Sequence, residues 1–200
     1  MAFNIQNFRN AMQYDGQRPN LFRVKIPTKG NMFNGTDLEL FAKATSIPGA
    51  TIGRVIVPYF GREVKLAGNR TFPEWTITVI NDETFAARSQ FENWMDFING
   101  HSLNTRKAGS GSGDYAHKAV VEQFSKKGPS TSVTATYEFV NLFPTDLSEI
   151  TLDWGDNDTV EEYTVTFSYD YWIRTIDAST APAVSGVQAE PIIDSGVGTG

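Results

Sequence analysis

Glu161-Glu162-Tyr163-Thr164-Val165-Thr166-Phe167-Ser168-Tyr169-Asp170-Tyr171-Trp172 decides the fold class. Tyr163, Val165, Phe167, Tyr169 and Tyr171 alternate with Thr164, Thr166, Ser168, Asp170 and Trp172. A period of two marks an antiparallel strand with one dry face and one wet face, and it predicts a strand over 160–173. The signal recurs where Trp75, Ile77 and Val79 flank Thr76 and Thr78, and where Phe22, Val24 and Ile26 flank Arg23 and Lys25. Further strands are predicted near 38–46, 117–124, 132–140 and 149–154. Seven or eight strands punctuated by turn residues predict a mainly β fold: an antiparallel β-sandwich or partial barrel.

Two helices accompany the strands. Phe91, Trp94, Met95 and Ile98 fall at i, i+3, i+4 and i+7, one apolar stripe of a flanking helix over 82–99. Such a stripe packs on a core. Asn81-Asp82 opens this helix, Glu83 belongs to its first turn, and Gly100 stands where a C-terminal cap belongs. Ile5, Phe8 and Met12 predict a short N-terminal helix ending before Gly16.

Between these elements lies a long excursion. Ile47-Pro48-Gly49-Ala50 reads as a type II turn. Val55, Val57, Tyr59 and Phe60 are interrupted by Pro58 and Gly61, which a central strand rarely tolerates, so 51–66 has edge-strand or hairpin character. Gly68-Asn69 fits a two-residue hairpin loop. Residues 105–114 are a Gly-Ser flexible insert, without the Gly-Lys-Ser/Thr ending of a phosphate cradle.

Composition bounds the function. The chain has 200 residues, 40% hydrophobic and 20% charged, which is globular rather than disordered. Its 14 Phe, 7 Tyr and 4 Trp require a core or an interface. The absence of cysteine removes disulfides, thiolate zinc sites and cysteine nucleophiles. No apolar run reaches the roughly 18–20 residues of a membrane span, and no secretory leader opens the chain, so no membrane anchor and a cytoplasmic birth are expected. A net charge of −6 argues against clamping nucleic acid.

That charge is unevenly placed. Residues 1–127 carry 16 Lys/Arg against 11 Asp/Glu, whereas 128–173 carry nine acids and no base. The acidic half either forms a solvated face, meets the basic half of a neighbouring copy, or lines a surface that must not hold polyanions. Arg54, Tyr59, Phe60, Arg62, Lys65, Arg70, Phe72 and Trp75 interleave base with aromatic ring. Single-stranded nucleic acid is bound by such mixtures, but subunit interfaces are enriched in the same residues, and the acidic segment favours an interface.

Chemistry is sparse. His101 and His117 have no acidic or histidine neighbour at ligand spacing. In Asp153-Trp154-Gly155-Asp156-Asn157-Asp158 the glycine and the closing glutamate are out of place for a calcium loop, so the stretch reads as a tight hairpin turn, with a weak cation site as the alternative. No catalytic residue, metal site or cofactor is expected.

An ordered series of short motifs then resembles a known family. Arg18-Pro19-Asn20-Leu21-Phe22 comes first, then Lys43-Ala44-Thr45-Ser46-Ile47-Pro48, then Gly68-Asn69-Arg70-Thr71-Phe72-Pro73-Glu74-Trp75. Asn81-Asp82-Glu83 with its helix, Leu142-Phe143-Pro144-Thr145, Leu152-Asp153-Trp154 and Asp170-Tyr171-Trp172 follow in order. Together they resemble the tail tube proteins of contractile-tailed, T-even type bacteriophages. The resemblance implies an arm at 1–17, a tube domain at 18–174 and a C-terminal extension at 175–200, whose own composition reads as disordered. It implies hexameric rings stacked into a hollow tube inside a sheath, with a loop at about 46–68 reaching the next ring. It implies self-association, and tail sheath, tape measure, baseplate and tail terminator proteins as partners, with DNA passing without sticking. The place implied is the virion tail, assembled in the host cytoplasm.

The expected interface residues are Pro48, Gly49, Arg54, Tyr59, Phe60, Arg62, Lys65 and Arg70. The expected lumen carboxylates are Glu138, Glu149, Asp153, Glu161 and Glu162, since an acidic wall repels DNA weakly over a Debye length of about 8 Å. An acidic stacking face is the alternative use for them. Two alternatives to the whole reading are the inner tube of a contractile protein-injection system and a monomeric carbohydrate-binding β-sandwich.

Overall fold

A computed structural model describes residues 4–12, 16–27, 38–109, 111–126 and 133–175. The expected extension at 175–200 lies outside these residues beyond Thr175. In chain order the elements are α1 (Ile5–Ala11), β1 (Phe22–Lys25), α2 (Leu38–Phe41), β2 (Ala42–Thr45), β3 (Thr51–Tyr59), β4 (Arg62–Thr71), β5 (Trp75–Ile80), α3 (Ala86–Ile98), α4 (Ser112–Tyr115), β6 (His117–Phe124), β7 (Val133–Leu147), β8 (Glu162–Ser168) and β9 (Tyr171–Thr175).

Seven strands form one antiparallel ladder, β1-β6-β7-β8-β5-β2, with β9 also on β7. The ladder folds over on itself at one corner and does not close into a barrel. Its first layer is β1, β6, β9 and the start of β7; its second is the end of β7 with β8, β5 and β2. The corner is cut into two strands at once. Asn141 of β7 takes a left-handed backbone at φ 55°, and its side chain donates to Asp170, between β8 and β9, at 2.5 Å. The expected single strand over 160–173 is therefore two strands. The side-chain alternation runs across the bend from Tyr169 to Tyr171, so the sequence shows no break there.

The core sits between the layers. Trp75 of β5 stacks on Phe139 of β7 with ring centroids 4.3 Å apart. Ile77, Val79, Val165 and Phe167 of the second layer share one buried cluster with Val24, Val121 and Ala119 of the first. Helix α3 closes the open side: Phe91 meets Phe167 edge-on at 5.9 Å, and the Trp94 indole N–H donates to the Tyr115 carbonyl at 2.8 Å.

Helix α3 starts later than expected. Phe85, at φ 54°, occupies its cap, and no acid lies in its first turn. Asp82 instead accepts from the Thr84 hydroxyl, which holds its carboxyl below the usual range, and from the Ala86 N–H. At the other end the cap is Asn99 rather than Gly100. The start of segment 105–114 is tied down: Ala108 is buried, its N–H donates to the Phe97 carbonyl, and Lys107 pairs with Asp96.

Residues 38–41 form a helical turn rather than the start of the strand expected over 38–46. Residues 149–154 form no strand. The Asp153 side chain accepts from the Gly155 N–H at 2.9 Å, and this turn chemistry holds the segment as loop.

Candidate functional site

Among the described residues strands β3 and β4 pair only with each other, outside the seven-stranded ladder. Their turn is Phe60-Gly61, at φ 45° and 75°, between paired Tyr59 and Arg62. The expected loop at Gly68-Asn69 is instead inside β4. There the register slips between Ile52 and Arg54, and a Cβ on Gly68 would lie 3.1 Å from the Gly53 carbonyl carbon, so two glycines let the backbones approach. Pro58 is tolerated because β3 has a neighbour on one side only.

The hairpin is amphipathic. Val55 pairs with Leu66, and Val57 with Val64; Tyr59 continues the same face. Arg54, Ile56 and Lys65 belong to the opposite face, with Ile56 opposite Lys65. All of these residues are exposed, and Phe60 at the tip is 91% exposed. A cross-strand apolar face that no described residue buries loses the burial that normally stabilises a hairpin. A bulky residue at positive φ on a fully exposed tip adds local strain.

The base of the hairpin is firmly held. The Trp75 indole donates to the Ser46 carbonyl and the Trp172 indole to the Gly49 carbonyl, each at 3.1 Å. Of the expected interface residues, Pro48 is buried within the subunit, Gly49 belongs to this base, and Arg54, Tyr59, Phe60, Arg62, Lys65 and Arg70 stand exposed on the hairpin. Val55, Val57, Val64 and Leu66 were not among the expectations. Their alternation was visible, but Pro58 and Gly61 masked it.

Four of the five acidic candidates, Glu149, Asp153, Glu161 and Glu162, line one open cavity, and Glu138 stands apart from them. Glu138 is on the outer face of β7, where it accepts from Lys118 at 2.6 Å and holds that ammonium above its usual range. Glu162 opens β8 and pairs with Lys43. Glu149, Asp153 and Glu161 belong to the loop 149–161, whose walls enclose an open cavity of about 670 Å³. Glu161 accepts from the Asn81 side chain at 2.9 Å. The loop carries five acids, no base, and fully exposed Trp154 beside exposed Leu152.

A third surface is rich in hydroxyls, with Asp146 opposite Thr166 and the Lys43–Glu162 pair at one end. On the outer face of the second layer Thr76 stands opposite Thr166 and Thr78 opposite Thr164, with Ser168 continuing the row. Among the described residues no group of three or more His, Cys, Asp or Glu could hold a metal ion, and no helix is long and apolar enough to cross a membrane.

A sandwich with an anchored, uncovered apolar hairpin is a subunit built to assemble. Comparison with known proteins makes that class specific. The family model described as phage tail tube protein matches residues 9–175. The tail tube protein gp19 of Enterobacteria phage T4 is 34% identical over 158 residues, covering 79% of this chain and 91% of that one. In fold, the chain resembles the tube-terminating cap of the anti-feeding prophage, with a TM-score of 0.60 at 17% identity over 82% of this chain and 93% of that one. It also resembles a chain of the PVC sheath-tube complex, an extracellular contractile injection system, with a TM-score of 0.55 at 17% identity over 88% and 100%. The chain belongs to the phage tail tube protein family. It is a structural subunit of a bacteriophage tail tube and a component of the virion tail.

Proposed function

We propose that the chain forms hexameric rings that stack into a hollow tube, and that the β3–β4 hairpin within 46–68 is its inter-ring element. The observation that carries this is the uncovered apolar face of Val55, Val57, Tyr59, Val64 and Leu66. A monomer gains nothing from it, whereas a stack buries it at roughly 25 cal/mol per Å². Arg54, Arg62, Lys65 and Arg70 give the contact its charge. α1 supports the same reading, since Ile5 and Phe8 leave its apolar stripe exposed.

The tube encloses the tape measure protein before infection and conducts DNA during it. It grows from a baseplate in the host cytoplasm, is closed by a terminator and is wrapped by a sheath. The hydroxyl face of Thr76, Thr78, Thr164 and Thr166 is the channel wall, with Glu162 at its end the acidic candidate on that face. Lys43 is already paired with Glu162 and the hydroxyls offer phosphates no cation, so little counterion release rewards sticking. Glu138, beside Lys118 on the other layer, serves the outer surface.

Electron microscopy of the purified chain across a concentration series, with and without sheared tube fragments as seeds, tests the assembly. Hollow rods or six-fold rings are expected. Monomers at every concentration, seeded or not, overturn it. For the wall, Thr78→Lys with Thr166→Lys leaves tubes intact but lowers DNA delivery; unchanged infectivity at low salt overturns that assignment.

A further inference from the structure

We propose that the hairpin of one copy seats on the loop 149–161 of the next copy along the tube axis, so that this loop is the stacking receptor. The inference rests on the tube reading and names the surface that the hairpin meets.

Three observations carry it. The first is position. The hairpin emerges at the Trp75 end of β5, where Trp75 pairs with Phe167. The loop closes at the other end, where Ile80 pairs with Glu162 and the Asn81 N–H donates to the Glu161 carbonyl at 2.8 Å. Six residues of strand separate the two ends by about 17 Å. Two unlike surfaces at opposite ends of one sheet make a heterologous, head-to-tail contact, which propagates as a filament instead of closing on itself.

The second is charge. Between Thr51 and Thr71 stand four bases and one acid; between residues 149 and 161 stand five acids and no base. The hairpin is net positive and the loop net negative, so copies attract end to end, while hairpin meeting hairpin or loop meeting loop repels.

The third is apolar surface. The loop exposes Leu152 and Trp154 next to its cavity, and the hairpin exposes Phe60 and the Val57–Val64 pair. An aromatic anchor beside a concavity, ringed by acids, is complementary to an apolar hairpin edged with bases. Glu149 and Asp153 therefore serve the stacking face rather than the channel.

The test is a charge exchange. One variant carries Arg54→Glu, Arg62→Glu and Lys65→Glu; the other carries Asp153→Lys, Asp156→Lys and Asp158→Lys. Alone, each juxtaposes like charges, and the mass of rods in a pelleting assay falls at least about tenfold. Mixed in equal amounts, they alternate along the axis, every contact is again between opposite charges, and rods return. Wild-type rods without recovery in the mixture overturn the contact but leave the tube. A wild-type chain that never forms rods overturns the tube reading and this contact with it. Should either variant fail to fold, Phe60→Cys with Trp154→Cys decides, because the chain has no other cysteine. A short bis-maleimide then gives a ladder of linked copies from assembled rods; rods that yield only single chains overturn the contact.

Discussion

Strands β5 and β8 and strands β3 and β4 are two antiparallel pairs written in the same alternating code. In the first pair Trp75, Ile77, Val79, Tyr163, Val165 and Phe167 are each at most 1% exposed. In the second, Val57 is 41% and Tyr59 64% exposed, the extremes of five residues on one face. Alternation announces a dry face without saying who dries it. In β5 and β8 the opposite layer and α3 of the same chain do so. In β3 and β4 no other element among the described residues does, and the face stays exposed.

The sharpest break between the pairs comes from truncating one residue in each. Trp75→Ala removes the ring stacked on Phe139 and the indole bond that anchors the hairpin base. It is expected to cost about 3–5 kcal/mol in urea unfolding. Phe60→Ala is expected to change monomer stability by less than about 0.5 kcal/mol. Comparable losses at both sites would mean that the hairpin is packed within its own subunit, and the contrast would fail.

A finer probe leaves size alone and changes polarity. Val57→Thr and Val64→Thr keep the shape and β-propensity of the cross-strand pair but add hydroxyls to the exposed face. A buried Val contributes about 1.5–3 kcal/mol. Each substitution is therefore expected to raise the concentration at which rods appear by about tenfold or more, with the monomer's melting curve unmoved. Thr in place of Val165, buried between the layers, should reverse the pattern and lower the melting curve itself.

The same contrast explains what the sequence made legible. The alternating runs at Phe22–Ile26, Trp75–Val79 and His117–Phe124 were readable because one face of each is buried in its own chain. The apolar stripe of α3 was readable for the same reason. Ile150, Leu152 and Trp154 alternate too and read as a strand, yet they lie in a loop with Leu152 and Trp154 exposed. There, as in the hairpin, alternation does not mark a face buried by the described residues: Leu152 and Trp154 stay exposed, and only Ile150 packs on the core. The hairpin turn was misplaced because Gly68-Asn69 has turn chemistry, while Phe60 is a poor residue for positive φ. Charge drew attention to Arg54, Arg62, Lys65 and Arg70, which stand exposed on the hairpin. It could not divide the acids between the loop and the sheet faces, since that depends on which strand end each one occupies.

The smallest expected effect tests how dry the dry face is. Tyr163 is 1% exposed, and among the described residues its hydroxyl has no hydrogen-bond partner, although Arg88 lies over its ring at 5.2 Å. Burial pushes its ionisation above the ordinary value of 10.0, because the phenolate would sit away from water. The unfolded chain therefore releases this proton first as pH rises. The contribution is fully present below pH 10 and is lost above it, with a slope of up to about 1.36 kcal/mol per pH unit for one proton. Tyr163→Phe keeps the ring and deletes the proton. It is expected to leave stability at pH 7 unchanged or slightly higher and to flatten the alkaline limb measured by urea unfolding between pH 10 and pH 11.5. An unaltered limb would mean that water reaches the hydroxyl, and that the layer between β8 and α3 is less closed than the hairpin's exposure makes it look by comparison.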